Sequence, residues 1–123
     1  MKIIEAINAI DDIYPNTYTQ EEKVGWLSNL DEKVKKTIID THEDGEKVVF
    51  EGYNSNTPLD TELLIPSPYT DVYMFWLQSK IDYWNGEIGR YNNSISTYNA
   101  EYTAFENAYN RAHRPITKTL KFF

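Results

Sequence analysis

Side chains able to carry chemistry are few in this chain and poorly spaced for it. Its 123 residues contain no cysteine, so thiolate nucleophiles, disulfide frameworks and Cys-based zinc or iron–sulfur centres are excluded together. Two histidines are present, in different contexts. The run His42-Glu43-Asp44 has the composition of a metal-ligand cluster. At the end of a helix, however, such a run reads as a solvated turn, with the His42 cation suited to the helix C-terminus. His113 lies between Arg111 and Arg114, and cationic neighbours disfavour metal binding. The carboxylate pairs Asp11-Asp12 and Glu21-Glu22 are adjacent in sequence, so on a helix they point to different faces and do not converge. Glycine-rich phosphate loops, G-x-S-x-G elbows and H-E-x-x-H pairs are all missing. Asn92-Asn93-Ser94 matches a glycosylation sequon, incidental on a helix in the cytosol. No catalytic, metal-ligating or cofactor-binding residue is expected.

What would position any surface is a set of helices. Ile3, Ile7, Ile10 and Tyr14 recur at steps of three and four, flanked by Ala6 and Ile13, and Pro15 stops the pattern; this predicts a helix over about 2–14. Thr19 and Glu22 have capping-box spacing and open a second helix over about 20–41. Its apolar face is Leu27, Leu30, Val34 and Ile38, widened by Val24 and Trp26, with Lys33, Lys35 and Lys36 in the later turns. The short turn between the two predicts an antiparallel pair. Residues 43–68 lose the helical period among glycines and prolines, while Val48-Val49-Phe50 and Leu63-Leu64-Ile65 have the composition of short strands. A loop this long, with two apolar clusters, predicts a strap over the helices or a reach to a neighbour.

The most regular pattern comes last. Leu77, Ile81, Trp84, Ile88, Tyr91, Ile95, Tyr98, Tyr102, Phe105, Tyr109 and Ala112 alternate steps of four and three. This is a heptad-like seam over roughly five heptads. Gly86, Gly89 and Asn92-Asn93-Ser94 lower helicity inside it. The unbroken phase nonetheless favours one long helix, straight or kinked, or two collinear ones, over about 69–112. Such a rod approaches ~65 Å, so its seam needs cover from the first two helices and from neighbouring subunits. Arg114-Pro115 ends it, and an extended arm follows over 114–123. The expected fold class is mainly α: an antiparallel helix pair, a long C-terminal helix, an extended loop and a terminal arm in one domain, 1–123.

Composition sets the class of partner. Net charge is −7, unfavourable for wrapping nucleic acid. Residues 43–71 hold seven acids and one lysine, whereas Arg111, Arg114, Lys118 and Lys121 follow Glu106 with no further acid. An acidic middle and a basic end suit head-to-tail contact between copies. Aromatics make up 15% of the chain, ten of them tyrosines, an excess that favours an interface. Met1-Lys2-Ile3-Ile4-Glu5 becomes charged too early for a signal peptide, and no apolar run suits a membrane span; the cytosol is the expected compartment.

Specific stretches also look familiar. Pro15-Asn16-Thr17-Tyr18-Thr19-Gln20-Glu21-Glu22-Lys23, continuing Trp26-Leu27-Ser28-Asn29-Leu30-Asp31, resembles a family of short proteins encoded in the head-gene region of phages and prophages of low-GC Gram-positive bacteria. So do Ile81-Asp82-Tyr83-Trp84-Asn85-Gly86-Glu87, Arg90-Tyr91-Asn92-Asn93-Ser94 and Tyr109-Asn110-Arg111-Ala112-His113-Arg114-Pro115. The resemblance implies a head–tail connector, or adaptor: a helical virion protein that forms a ring beneath the portal and receives the tail. Implied partners are further copies of itself, the portal protein and tail or head-completion proteins, with DNA passing through without specific binding and no membrane. The final location implied is the virion's head–tail junction. The family carries no residue roles onto this chain.

Three other classes compete. One is an acidic DNA mimic that inhibits a host enzyme, although here the acids concentrate in a loop and do not array along one surface. The others are a helical scaffold unrelated to phages and a small enzyme built on the tyrosine-rich helix. Candidate interface residues are Leu63, Leu64 and Ile65 in the loop, with Arg111, Arg114, Lys118, Lys121, Phe122 and Phe123 at the end. Deleting residues 116–123 is expected to leave the helical domain folded and to abolish assembly, read by circular dichroism and sedimentation; unfolding of the truncated chain would make the arm part of the core.

Overall fold

The first two helices open where a glutamate side chain accepts a free backbone N–H. A computed structural model describes residues 1–116 of the chain. Helix α1 spans Ile3–Ile13, with the Glu5 carboxylate accepting the Lys2 N–H at 2.7 Å. It buries Ile3, Ala6, Ile7 and Ile10 and leaves Ile13 exposed. Helix α2 spans Gln20–Thr37 and opens with the expected capping box: the Glu22 N–H donates to Thr19 Oγ1 and the Thr19 N–H to Glu22 Oε1, both at 3.1 Å. Between the two helices Lys23 is almost wholly buried. Its ammonium donates to Asp11 at 2.6 Å and to the Tyr18 carbonyl at 2.9 Å, so the desolvated charge is paired and hydrogen-bonded.

Helix α2 stops a turn earlier than the periodicity predicts, passing into a 3-10 turn at Ile39–Thr41. A second 3-10 turn, Gly45–Lys47, brings the backbone back so closely that a Cβ on Gly45 would lie 2.2 Å from the Ile39 carbonyl oxygen; only glycine fits. The strap then crosses to the start of α1, where the N–H groups of Ile3 and Ile4 donate to the carbonyls of Thr61 and Leu59 and the Leu63 N–H donates to the Met1 carbonyl. No strand forms among the described residues. The two apolar clusters of the strap run extended, and pairing is confined to isolated antiparallel bridges, Lys2 with Glu62 and His42 with Pro115.

The seam does not form one rod. It divides into α3, Asp71–Trp84, and α4, Ile88–Ala112, separated by Asn85, Gly86 and Glu87. Gly86 has φ +74°. The Glu87 N–H donates to the Asp82 carbonyl and the Gly86 N–H to the Tyr83 carbonyl, the bond pair of a Schellman C-cap. Ring contacts run Tyr83 to Tyr91, Trp76 to Tyr98 and Tyr69 to Phe105. One number falls as the other rises, so the two helices form an antiparallel hairpin.

Burial decides for the hairpin over the rod. Leu77, Ile81, Tyr98, Tyr102 and Phe105 all become buried, which at about 2 kcal/mol each gives ~10 kcal/mol. The few helical bonds lost at the turn are worth ~1 kcal/mol each, and the Schellman bonds replace some of them. Preserved phase is no argument against a break, because both halves of a seam must face inward when it folds on itself. The chain thus covers most of its own seam, leaving Trp84 and Ile88 exposed at the turn; Lys33 of α2 adds cover, its ammonium 4.6 Å from the Tyr102 ring centre and 5.9 Å from that of Tyr98. After α4 the chain turns back, the Glu43 N–H donating to the Arg114 carbonyl and the Ile116 N–H to the Thr41 carbonyl. Of the arm expected over 114–123, Lys118, Lys121, Phe122 and Phe123 lie outside the described residues.

Two glycines should therefore respond oppositely to alanine. Gly86→Ala meets no atom within 4 Å but keeps a positive φ, and should cost ~1 kcal/mol in urea unfolding. Gly25→Ala, within α2 and equally free of contacts, should gain up to ~1 kcal/mol. Equal responses would refute the Schellman turn.

Candidate functional site

Both histidines take structural positions. His42 is buried, not part of a solvated turn. Its Nδ1 lies 2.6 Å from the Ile38 carbonyl and so carries a proton, while Nε2 faces Asn110 Oδ1 at 2.7 Å. The ring meets Tyr109 edge-on at 4.9 Å, and His113 stacks on that tyrosine at 3.8 Å. His42 therefore joins the end of α2 to the end of α4. The sequence concealed this because its partner, Asn110, is 68 residues away. Among the described residues no group of three or more His, Asp or Glu side chains could hold a metal ion, and no helix is long and apolar enough to cross a membrane.

Asp31 is one of two carboxylates, with Asp82, that are fully buried among the described residues. It is fully buried on α2, with no cation against it. Tyr53 Oη donates at 2.5 Å, Tyr73 Oη at 2.6 Å and the Leu64 N–H at 3.0 Å, and the Ile65 N–H in turn donates to Tyr73 Oη at 2.7 Å. Burial raises the carboxyl above its usual range, against the pull of these donors. The same burial, with the neighbouring charge of Asp31, holds both tyrosine hydroxyls well above theirs. Both carboxylate oxygens are answered by the chain itself, so Asp31 ties α2, the strap and α3 together and, fully buried, offers no group to a substrate.

A cleft of about 360 Å³ lies between α2 and the strap, lined in part by Glu32, Lys35, Lys36 and Asp40. Its cations are occupied. Lys35 pairs with Asp40 and donates to the Gly45 carbonyl at 3.0 Å, and Lys36 pairs with Glu32 at 3.2 Å. No lysine there is left free for an anion.

The hairpin tip is different. Tyr83, Trp84 and Ile88 are 57%, 61% and 73% exposed, large apolar side chains clustered within six residues. Beside them a groove of about 400 Å³ is lined by Tyr83, Gly86, Glu87, Ile88, Tyr91 and Asn92, with Asp82 at its floor. Tyr83 is braced edge-on by Trp84 at 5.2 Å and by Tyr91 at 5.6 Å. The backbone beneath is fixed from two directions. Asp82 is fully buried and accepts the Ser94 hydroxyl at 2.9 Å and the Tyr14 hydroxyl; burial and that carboxylate hold the Tyr14 hydroxyl above its usual range. Tyr18 Oη donates to Asn85 Oδ1 at 2.7 Å. The tip is thus an exposed aromatic surface on a tethered turn.

Sequence reasoning assigned the surface elsewhere. Leu63 and Ile65 are buried in the chain's own core and Leu64 is half-buried, so the strap cluster faces inward and does not await a partner. Arg111 and Arg114 are exposed at the far end of α4 from the tip; Lys118, Lys121, Phe122 and Phe123 fall outside the described residues. Tyr83, Trp84 and Ile88 are not among the candidate interface residues of the sequence, because the seam pattern places Trp84 and Ile88 on one continuous helix face. The signal that could have found them is the adjacency of Trp84 and Ile88 to Gly86, where a turn leaves seam residues without a facing helix. No family model matches this chain, and neither a curated protein nor a solved structure matches it.

Asp31 yields a stability prediction. Asp31→Ala leaves three donors unanswered and should cost about 2–4 kcal/mol in urea unfolding. For the pH effect, a carboxyl raised in the fold holds its proton more tightly there than in the unfolded chain. The stability it contributes is fully present below the unfolded value and is lost as pH rises through the folded one. The advantage of the wild type over Asp31→Asn should therefore be larger at about pH 4 than at about pH 7. An advantage that shrinks on acidification would mean the donors outweigh burial.

Proposed function

We propose that this chain is a structural virion protein, a head–tail connector or adaptor without enzymatic activity, that assembles as a ring with portal and tail components. The observation that carries the reading is the tip: three large apolar side chains held exposed on a fixed turn. Scattered exposed apolar residues are ordinary, but a contiguous aromatic group in a soluble domain marks contact with another macromolecule. Covering Tyr83, Trp84 and Ile88 would yield roughly 1.5–3 kcal/mol each.

Other features fit the same role. The stretches Pro15 to Asp31 and Ile81 to Ser94 that resemble the connector family fold into the α1–α2 turn and the hairpin turn, which Tyr14 and Tyr18 bond together. A ring requires two different faces that meet head to tail. In this chain the aromatic tip and the basic end with Arg111 and Arg114 stand at opposite ends of α4. An acidic strap, with Glu43, Asp44, Glu46 and Glu51 exposed, suits a passage that repels the DNA it conducts. The protein would act in the bacterial cytoplasm during assembly and then reside at the head–tail junction.

The test is quantitative mass spectrometry of purified particles from an induced host carrying the gene. The expected result is a low, ring-like copy number far below that of the major capsid protein. Abundance in the lysate with absence from particles would overturn the connector reading and favour an inhibitor of a host enzyme.

A further inference from the structure

We infer that the hairpin tip is the seat for residues 117–123 of a second copy of this chain. The proposal deepens the assembly reading and rests on it, supplying the joint between neighbouring subunits.

The first observation is the seat. It is an apolar groove of about 400 Å³ with Tyr83, Ile88 and Tyr91 in its wall and Glu87 on its rim. Its backbone is held by the Schellman bonds, by Tyr18 on Asn85 and by Tyr14 and Ser94 on Asp82. A fixed concavity binds without first being assembled, which favours an incoming apolar segment.

The second observation is the segment. Leu120, Phe122 and Phe123 provide apolar side chains of the size such a groove takes, interleaved with Lys118 and Lys121. Glu87 already lies 3.8 Å from Arg90, so the match rests on the apolar side chains, and the lysines keep the segment in water until it docks.

The third observation is reach, and it decides between one copy and two. Pro115 is bridged to His42, and His42 Nε2 lies 2.7 Å from Asn110, so the segment starts level with Asn110. From there to Ile88 is 22 helical residues, or ~33 Å at 1.5 Å each. Leu120, four residues beyond Ile116, extends at most ~14 Å, and Phe123, seven beyond, ~25 Å. The chain cannot lay Leu120 and Phe122 into its own tip. A neighbour's tip is subject to no such limit, and one segment in one neighbour's groove gives the heterologous contact from which rings are made.

The experiment uses the full chain, at concentrations where it sediments as one species, titrated against a fluorescent peptide of residues 116–123 and read by anisotropy. Saturable binding is expected. Ile88→Asp should weaken it by about tenfold or more, by placing a charge in the apolar seat. Ile88 is mostly exposed and opens α4, where an acid suits the helix, so circular dichroism should show the variant folded. Val49→Asp, equally exposed but on the strap, should bind like the wild type. A peptide carrying Leu120→Ser and Phe122→Ser should not bind. Lack of saturable binding, or binding that survives Ile88→Asp, would overturn the proposal, and loss with Val49→Asp alone would place the segment on the strap instead. The particle census stands apart from these titrations, so failure of the joint and failure of the connector reading are separately visible.

Discussion

A carboxylate without water and without a cation must be answered by donors, and the fold is arranged around meeting that demand at Asp31. The donors come from three places in the chain: Tyr53 and Leu64 on the strap and Tyr73 on α3. Satisfying them fixes where the strap crosses α2 and where α3 begins. Leu63 and Ile65 are drawn inward on either side of Leu64, and Ser28, one turn before Asp31, accepts the Tyr53 N–H at 2.9 Å. A strap with no regular strand therefore has a defined path, and α3 is placed to pair with α4. Were the Asp31 carboxylate lost, the donors that position the strap would be stranded in the core, at a cost comparable to much of a small domain's net stability.

Helix type and capping were legible because they depend on neighbours in sequence. The Thr19 and Glu22 box, the stripe of Ile3, Ile7 and Ile10 and the stop at Pro15 are all local, and each is found where the pattern predicts. The course of residues 69–112 was not legible, because phase is blind to a reversal: a seam folded at Gly86 and a seam continued through it share one periodicity. Length is what separates the two. A rod of ~65 Å leaves apolar surface that a hairpin buries without help, and an intramolecular partner has no entropy of association to overcome.

Polar long-range contacts account for most of the rest. Asp31, Asp82 and His42 have partners 12 to 68 residues away, and no spacing rule connects them. In a linear reading each passes for a surface residue on a helix or at its end. The strap's length and apolar clusters allow either a cover over the helices or a reach to a neighbour, and Leu63 and Ile65 take the first, roofing the core between α1, α2 and α3. The tip escaped notice because a periodic pattern says which residues share a face, not where that face stops being covered.

The joint proposed between copies should be weak taken singly, and its weakness is informative. Burying Leu120, Phe122 and Phe123 would contribute about 1.5–3 kcal/mol each. Bringing two free molecules together costs about 4–15 kcal/mol, so one such contact saturates only at high concentration and a free chain at lower concentration need not oligomerise. In a ring each subunit both gives a segment and receives one, and a platform that already holds the subunits side by side turns every later contact into an intramolecular event. A rigid tip lowers the cost of each contact without making it self-sufficient. The same surface is therefore compatible with a separate chain before assembly and with closure on a template, provided the template supplies the proximity that the joint lacks.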